Sequence, residues 1–168
     1  MITIEEIKDY IVKYDHNLSV FIPLFEELFN EQKLLINYSV SIKPFLIIEI
    51  KKLINDSIRL EFQFEKKDNV TFFSFVVGED GRLIQDVPIN QSLYNYNYLF
   101  FDIRTILQNE ITEEIFKIKN SNLKIKYTFY EKANSKIEKK YYLSLSPLFL
   151  LSYFTKKTIK VFKPWLST

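Results

Sequence analysis

The chain has 168 residues, of which 47% are hydrophobic and 17% aromatic; this is enough for one domain with a sizeable core and too apolar for disorder. The absence of cysteine excludes disulfides, iron–sulfur clusters and thiolate zinc sites, and two glycines are too few for glycine-rich phosphate-binding loops. The net charge of +2 conceals a division, because residues 1–116 carry 19 acidic and 11 basic side chains, whereas residues 117–168 carry 12 lysines and two glutamates. We therefore expect two surfaces of opposite electrostatic potential.

The first half of the chain predicts two helices, a strand, a short helix and an antiparallel meander. Thr3 and Glu6 have the spacing of a capping box, which begins a helix that ends near Tyr14. The second helix has one apolar face, made of Phe21, Leu24, Phe25 and Leu28. Alternation and turn residues predict the later segments: a strand at 36–42, a short helix at 44–55, and meander strands at 57–65, 70–77 and 82–87.

The second half predicts a helix, a hairpin and a final helix. The first helix begins near Leu99 and continues, or restarts near Thr112, as far as Asn120. Alternating residues predict an antiparallel hairpin over 123–145, and Ser146-Pro147 is a typical helix start, for a helix that ends by Lys163. The predicted order of elements is ααβαβββαββα, and no linker divides it. We therefore expect a single α+β domain over residues 1–168 with antiparallel pairing.

Two segments of the chain resemble each other. Residues 44–69 and 109–134 align without gaps at an offset of 65, with identities that include Glu49/Glu114, Phe64/Phe129 and Asn69/Asn134. Both predict a helix followed by a strand and an asparagine-containing turn. One interpretation is duplication of a helix–hairpin unit; the other is convergence on a common pattern in a composition that uses few residue types.

The residues do not favour catalysis. The one histidine, His16, lies between two predicted helices with no recognisable nucleophile beside it. Neighbouring carboxylates such as Glu26 and Glu27 diverge by about 100° on a helix, which is poor geometry for joint acid–base work. The chain has no histidine pair and no calcium-binding loop, so the sequence predicts a non-enzymatic protein without metal or cofactor.

The acidic helices are the predicted site for binding a protein partner. Their candidate residues are Asp9, Asp15, Glu26, Glu27 and Glu31. An acidic surface on a small non-catalytic protein is suited to docking a basic protein. The leading hypothesis is therefore a protein-binding domain of inhibitor or immunity-protein type, with a toxin or effector as partner. A toxin or effector is suggested by analogy with other small proteins from AT-rich genomes. The composition of this chain has the same AT-rich bias.

The basic C-terminal third, residues 117–168, gives the alternative function. Tyr130 opposite Glu138 in the hairpin would place lysines and tyrosines on one face, and helical spacing would align further lysines beside them. The candidate nucleic-acid-binding residues are Lys124, Lys126, Lys140, Lys156, Lys160, Lys163, Tyr130 and Tyr142. The simpler interpretation is that these lysines form an ordinary solvent-exposed face, because AT-rich codons make lysine abundant. A third hypothesis is self-association of the acidic face with the basic face.

The chain is expected to be cytoplasmic and not to contact a membrane. Its first residues include Glu5, Glu6 and Asp9 and no apolar signal core. Its most apolar runs, 44–48 and 145–154, are too short to span a bilayer.

Overall fold

The computed structural model describes residues 3–31, 36–42, 45–52, 57–78, 81–89, 96–118, 121–130, 136–142 and 156–166. Within these ranges the chain forms three α-helices, one 3-10 helix and nine strands in two antiparallel sheets. The predicted α+β class is therefore confirmed. The order of elements agrees with the prediction only in part, because three predicted helical segments are strands.

The N-terminal helices begin where their sequence signals place them. α1 spans Ile4–Tyr14, and its capping box is formed: Glu6 N donates to Thr3 Oγ1 at 3.2 Å and Thr3 N donates to Glu6 Oε2 at 2.6 Å. A 3-10 helix, His16–Phe21, follows and leads into α2, Ile22–Glu31. The connection is thus itself helical, which the sequence did not indicate. The third helix, α3, spans Tyr96–Leu107.

The first sheet has five strands in chain order, each antiparallel to the next. Its strands are β1 (Ile36–Ser41), β2 (Leu46–Lys52), β3 (Leu60–Lys67), β4 (Val70–Val77) and β5 (Gly81–Ile89). The predicted meander over 57–87 is confirmed by the pairing of β3 with β4 and of β4 with β5. Its tight turn has Asp68 and Asn69 at φ 48° and 65°, a left-handed conformation that these two residue types tolerate.

The short helix predicted over 44–55 is wrong, because 46–52 form β2. Leu46, Ile48 and Ile50 are fully buried on one face and alternate with less buried residues. The stiff, branched isoleucines fit a pleated surface better than a helix. Strands on both sides satisfy the β2 backbone, since it pairs with β1 and β3. Long-range pairing thus decides this segment.

Aromatic side chains dominate the core beneath the first sheet. Phe62 and Phe64 of β3 pair with Phe75 and Phe73 of β4, and all four are fully buried. The helical layer covers them. Phe21 meets Phe64 edge-on at 5.1 Å between ring centroids, a favoured arrangement for aromatic pairs, and Phe25 of α2 lies 4.8 Å from Phe62.

The second sheet has four strands in the spatial order β8-β7-β6-β9. These are β6 (Ile111–Ile118), β7 (Ser121–Tyr130), β8 (Lys136–Tyr142) and β9 (Lys156–Phe162). The predicted antiparallel hairpin over 123–145 is confirmed, but Tyr130 lies opposite Lys136 rather than Glu138. This shift of two positions leaves every residue on its predicted face.

Two further helix predictions are wrong in this sheet. The continuation from Thr112 towards Asn120 falls on β6, and the end of the last predicted helix, up to Lys163, falls on β9. β9 contains Thr158, Ile159 and Val161, branched residues suited to strands, and it pairs along its length with β6. The predicted helix start at Ser146-Pro147 lies outside the described residues.

The two similar segments, 44–69 and 109–134, form hairpins in the same register. Leu46 pairs with Phe64, and the positions 65 residues later, Ile111 and Phe129, also pair. The same holds for Ile50 with Leu60 and for Ile115 with Ile125. The predicted helix–strand arrangement is therefore wrong, because both segments are strand–strand units. Duplication and convergence both remain compatible with this equivalence.

The C-terminal residues connect the two sheets with α3. Trp165 is buried; its backbone N donates to Leu107 O at 2.7 Å and its indole Nε1 donates to Ile58 O at 3.1 Å. Lys52 Nζ lies 4.9 Å from the indole ring and donates to Pro164 O at 3.2 Å. One continuous core includes residues of both sheets, of α3 and of this segment.

Candidate functional site

Three of the five acidic residues predicted to bind a protein are engaged within the chain. Glu26 Oε1 lies 2.7 Å from Lys8 Nζ, and Glu27 Oε2 accepts from Arg104 Nε at 2.9 Å. Asp15 Oδ1 accepts from Asn17 N at 3.0 Å, and its Oδ2 accepts from the Thr71 hydroxyl. Asp15 thus caps the 3-10 helix and links it to β4, away from the helical surface.

The other two acidic candidates lie on α1 and at the end of α2. Asp9 is exposed on α1. Glu31 is the last residue of α2, and its side chain lies outside the described residues. The hydrogen bond to Glu26 raises the pKa of Lys8 above its ordinary value of 10.5 against the opposing effect of burial, and the charges of Glu26 and Glu5 add to the rise. On these helices the carboxylates of Glu26 and Glu27 are therefore each paired with a cation.

The basic residues predicted to bind nucleic acid divide between the two faces of the second sheet. The register pairs Lys124 with Tyr142 and Lys126 with Lys140, which places these four positions and Tyr130 on one face. Lys156 and Lys160 pair with Lys117 and Glu113, which belong to the opposite face. Lys163 lies just beyond β9 and is exposed. The sequence predicted one contiguous basic surface because Lys156, Lys160 and Lys163 would align along a final helix. Lys156 and Lys160 lie instead on strand β9, on the face opposite to the hairpin lysines.

Among these nucleic-acid-binding candidates, the structure describes the side chains of Lys160 and Lys163. The side chains of the remaining candidates lie outside the described part: Lys124, Lys126, Tyr130, Lys140, Tyr142 and Lys156.

An exposed aromatic pair on α3 is a surface that sequence reasoning missed. Tyr98 and Phe101 are 74% and 60% exposed and stand one helical turn apart. Arg104, one further turn along, extends the row to its ion pair with Glu27. We call Tyr98, Phe101 and Arg104 the α3 stripe. The signal was present in the sequence, since the 3.6-residue period that buries Leu99, Ile103, Ile106 and Leu107 leaves Tyr98 and Phe101 on the outer side.

The α3 stripe is held rigidly by the residues beneath it. Phe100 meets Phe21 edge-on at 5.3 Å, so the inner side of α3 packs on the 3-10 helix. Arg104 fixes α3 to α2 through Glu27. Large apolar side chains that stay exposed on a rigid, well-packed helix are typical of interaction surfaces.

A charged network on the outer face of the first sheet has the composition of an active site but not its geometry. The Arg59 guanidinium lies 3.2 Å from Glu49 Oε2 and 3.4 Å from Glu61 Oε2, and its Nε donates to Gly78 O at 2.9 Å. Lys51 adds a second cation to Glu49 at 2.6 Å. With both carboxylates held by cations, the network joins β2, β3 and the turn after β4, which is a structural role.

Other chemistry has little basis in the described part of the chain. His16 is exposed in the 3-10 helix. No group of three or more His, Cys, Asp or Glu side chains within the described ranges is arranged to hold a metal ion. None of the helices described is both long and apolar enough to cross a membrane.

Comparison with protein-family models, with curated proteins and with solved structures found no match to this chain.

Proposed function

We propose that the chain is a non-enzymatic protein-binding domain that docks its partner on the α3 stripe. The observation that carries this proposal is the exposure of Tyr98 and Phe101 on one side of a helix whose other side is buried. Aromatic side chains dominate the energetics of protein interfaces, because they bury a large apolar area at a small cost in conformational entropy. A helix row of this kind can insert into a groove of a partner.

The surroundings of the α3 stripe favour a function of the inhibitor or immunity-protein type, with a charged partner. The ion pair of Arg104 with Glu27 borders the aromatic pair and continues onto α2, where Glu26 is paired with Lys8. An aromatic centre with a charged rim matches the usual anatomy of an interface. We expect the rim to set partner choice and association rate, and the aromatics to supply most of the affinity. A toxin or effector would fit this description.

A photo-crosslinking experiment tests the docking site. A photoreactive phenylalanine analogue is placed at Tyr98 and, as matched control, at Val12, an exposed apolar residue on α1. We expect a discrete crosslinked partner from position 98 and none from position 12. With that partner purified, the double variant Tyr98→Ser/Phe101→Ser should bind at least about tenfold more weakly, because two anchoring rings are lost.

Two results would contradict the proposal. One is equal crosslinking at both positions, which would indicate random encounter. The other is an unchanged affinity of the double variant for the purified partner, with unchanged thermal unfolding as the check on its fold.

Binding of nucleic acid through the second sheet is the second candidate function. The observation that favours it is the hairpin register, which groups Lys124, Lys126 and Lys140 with Tyr142 on one face. Lysines interleaved with aromatics can hold phosphates and stacked bases. The sequence offers no arginine after Arg104, so this binding would depend on backbone charge rather than on base readout.

Replacing Lys126 and Lys140 by glutamate tests this candidate, since the two positions face each other across the hairpin. We expect the double variant to lose all retention of single-stranded polynucleotide at low salt, and wild-type retention to fall steeply as salt rises. Lys66→Glu, an exposed lysine on β3, is the matched control. If wild type shows no retention even at low salt, this candidate function is wrong.

A further inference from the structure

β9 is one of the two edge strands of the second sheet; β8 is the other. β9 pairs with β6 on one side, and in the strand order of the described residues no strand follows it on the other. An edge strand presents a row of backbone N–H and C=O groups that another strand can pair with. Ile159 and Val161 remain 54% and 59% exposed on this strand, although they are branched apolar residues.

At Ile159, Lys160 and Val161 the residues of β9 alternate in chemistry between its two faces. Ile159 pairs with Glu114 and Val161 pairs with Thr112, so these two apolar residues share one face. Lys160 pairs with Glu113 and is exposed on the opposite face. Lys163 follows the strand and is also exposed. An incoming strand would therefore meet apolar side chains on one face and positive charge on the other.

We propose that β9 binds an extended acidic segment of a partner protein by strand addition. The charge of β9 argues for an acidic occupant, because directly opposed like charges are unfavourable across a strand pair. This surface is separate from the α3 stripe, and binding to it does not require the stripe.

The alternation also specifies the sequence that β9 accepts. Cross-strand partners share a face, so residues opposite Ile159 and Val161 should be apolar and the residue opposite Lys160 should be acidic. The segment thus has an apolar–acidic–apolar triplet opposite Ile159, Lys160 and Val161, within a strand of about the seven residues of β9. Main-chain hydrogen bonds would supply affinity, and the alternating side chains would supply selectivity.

A fluorescence-anisotropy titration of the full chain tests this inference. The probe is a labelled peptide of β9 length in which valine and glutamate alternate; its control is the same peptide with N-methylated backbone amides, which cannot pair as a strand. We expect saturable binding of the first peptide only. Lys160→Gln should weaken binding roughly fivefold or more, whereas Lys66→Gln, the same charge change on an exposed β3 residue, should not.

The position of binding is read from amide hydrogen exchange, which should slow along Thr158–Phe162 when the peptide is present. Absence of binding, equal binding of the N-methylated peptide, or equal weakening by the two lysine variants would each overturn the inference. So would a single-stranded oligonucleotide that displaces the peptide and itself depends on Lys160, because β9 would then be a nucleic-acid surface. Lys160 is exposed, so circular dichroism should show that its variant keeps the fold.

Discussion

At the scale of single residues, the charges on the helices are used mainly inside the molecule. Glu26, Glu27 and Asp15 were all expected to face a partner, yet each has a defined partner within the chain. Residue counts cannot distinguish these cases, because an acidic residue on an amphipathic helix looks the same whether its neighbour in space is water or lysine. Tyr98 and Phe101 are the converse case, since large aromatic side chains are usually well buried and these two are exposed.

The pair of Lys8 with Glu26 predicts a measurable pKa. Glu26→Gln removes the charged acceptor, so the pKa of Lys8 should fall from its raised value towards 10.5, with the charge of Glu5 still opposing the fall. Glu27→Gln is the matched control, because Glu27 pairs with Arg104 instead. The measurement is an NMR titration of the lysine side-chain carbons.

The sign of the pH effect follows from the direction of that shift. A raised pKa in the folded state means that the pair stabilises the fold below the ordinary lysine value and that this contribution is lost as pH rises through the raised pKa. Wild type and Glu26→Gln should thus differ in stability at neutral pH and converge in strong alkali. A Lys8 pKa that is insensitive to Glu26→Gln would contradict the ion pair.

At the scale of elements, local sequence signals located the ends of elements better than they distinguished helices from strands. The capping box at Thr3, the turn at Asp68-Asn69 and the alternation in β3 and β7 all depend on residues close in sequence, and each is confirmed. β2 and β9 were both assigned as helix. Their strand conformation depends on pairing with segments far along the chain, which short-range periodicity does not report.

For the basic candidate site, the sequence predicted the face of the hairpin lysines correctly but not the face of the later lysines. Lys124, Lys126 and Lys140 share one face of the hairpin, as predicted. Side chains alternate between the faces with a period of two, so a register shift of two positions leaves each residue on the same face. The grouping of Lys156 and Lys160 with them depended on a helix, and failed when that segment proved to be β9. Once the element is a strand, alternation alone separates Lys160 from its neighbours Ile159 and Val161.

At the scale of the whole molecule, the C-terminal segment holds distant parts of the chain together. Trp165 contacts Leu107 at the end of α3 and Ile58 before β3, while Lys52 of β2 lies over its ring. Both sheets contribute to the core that contains it. Since the contacts of Trp165 cross between elements of both halves, we expect the chain to unfold as one cooperative unit.

Trp165 is the only tryptophan, so its fluorescence reports the C-terminal segment while far-ultraviolet circular dichroism reports the entire chain. In urea the two transitions of the wild type should coincide. Trp165→Phe keeps an aromatic ring but leaves Ile58 O without its indole donor, which should cost about 1–3 kcal/mol of unfolding free energy by circular dichroism. Tyr98→Phe, a change on an exposed ring, should cost less than about 0.5 kcal/mol. A fluorescence transition that precedes the loss of secondary structure would show that the segment undocks independently, and the two sheets would then not form a single cooperative unit.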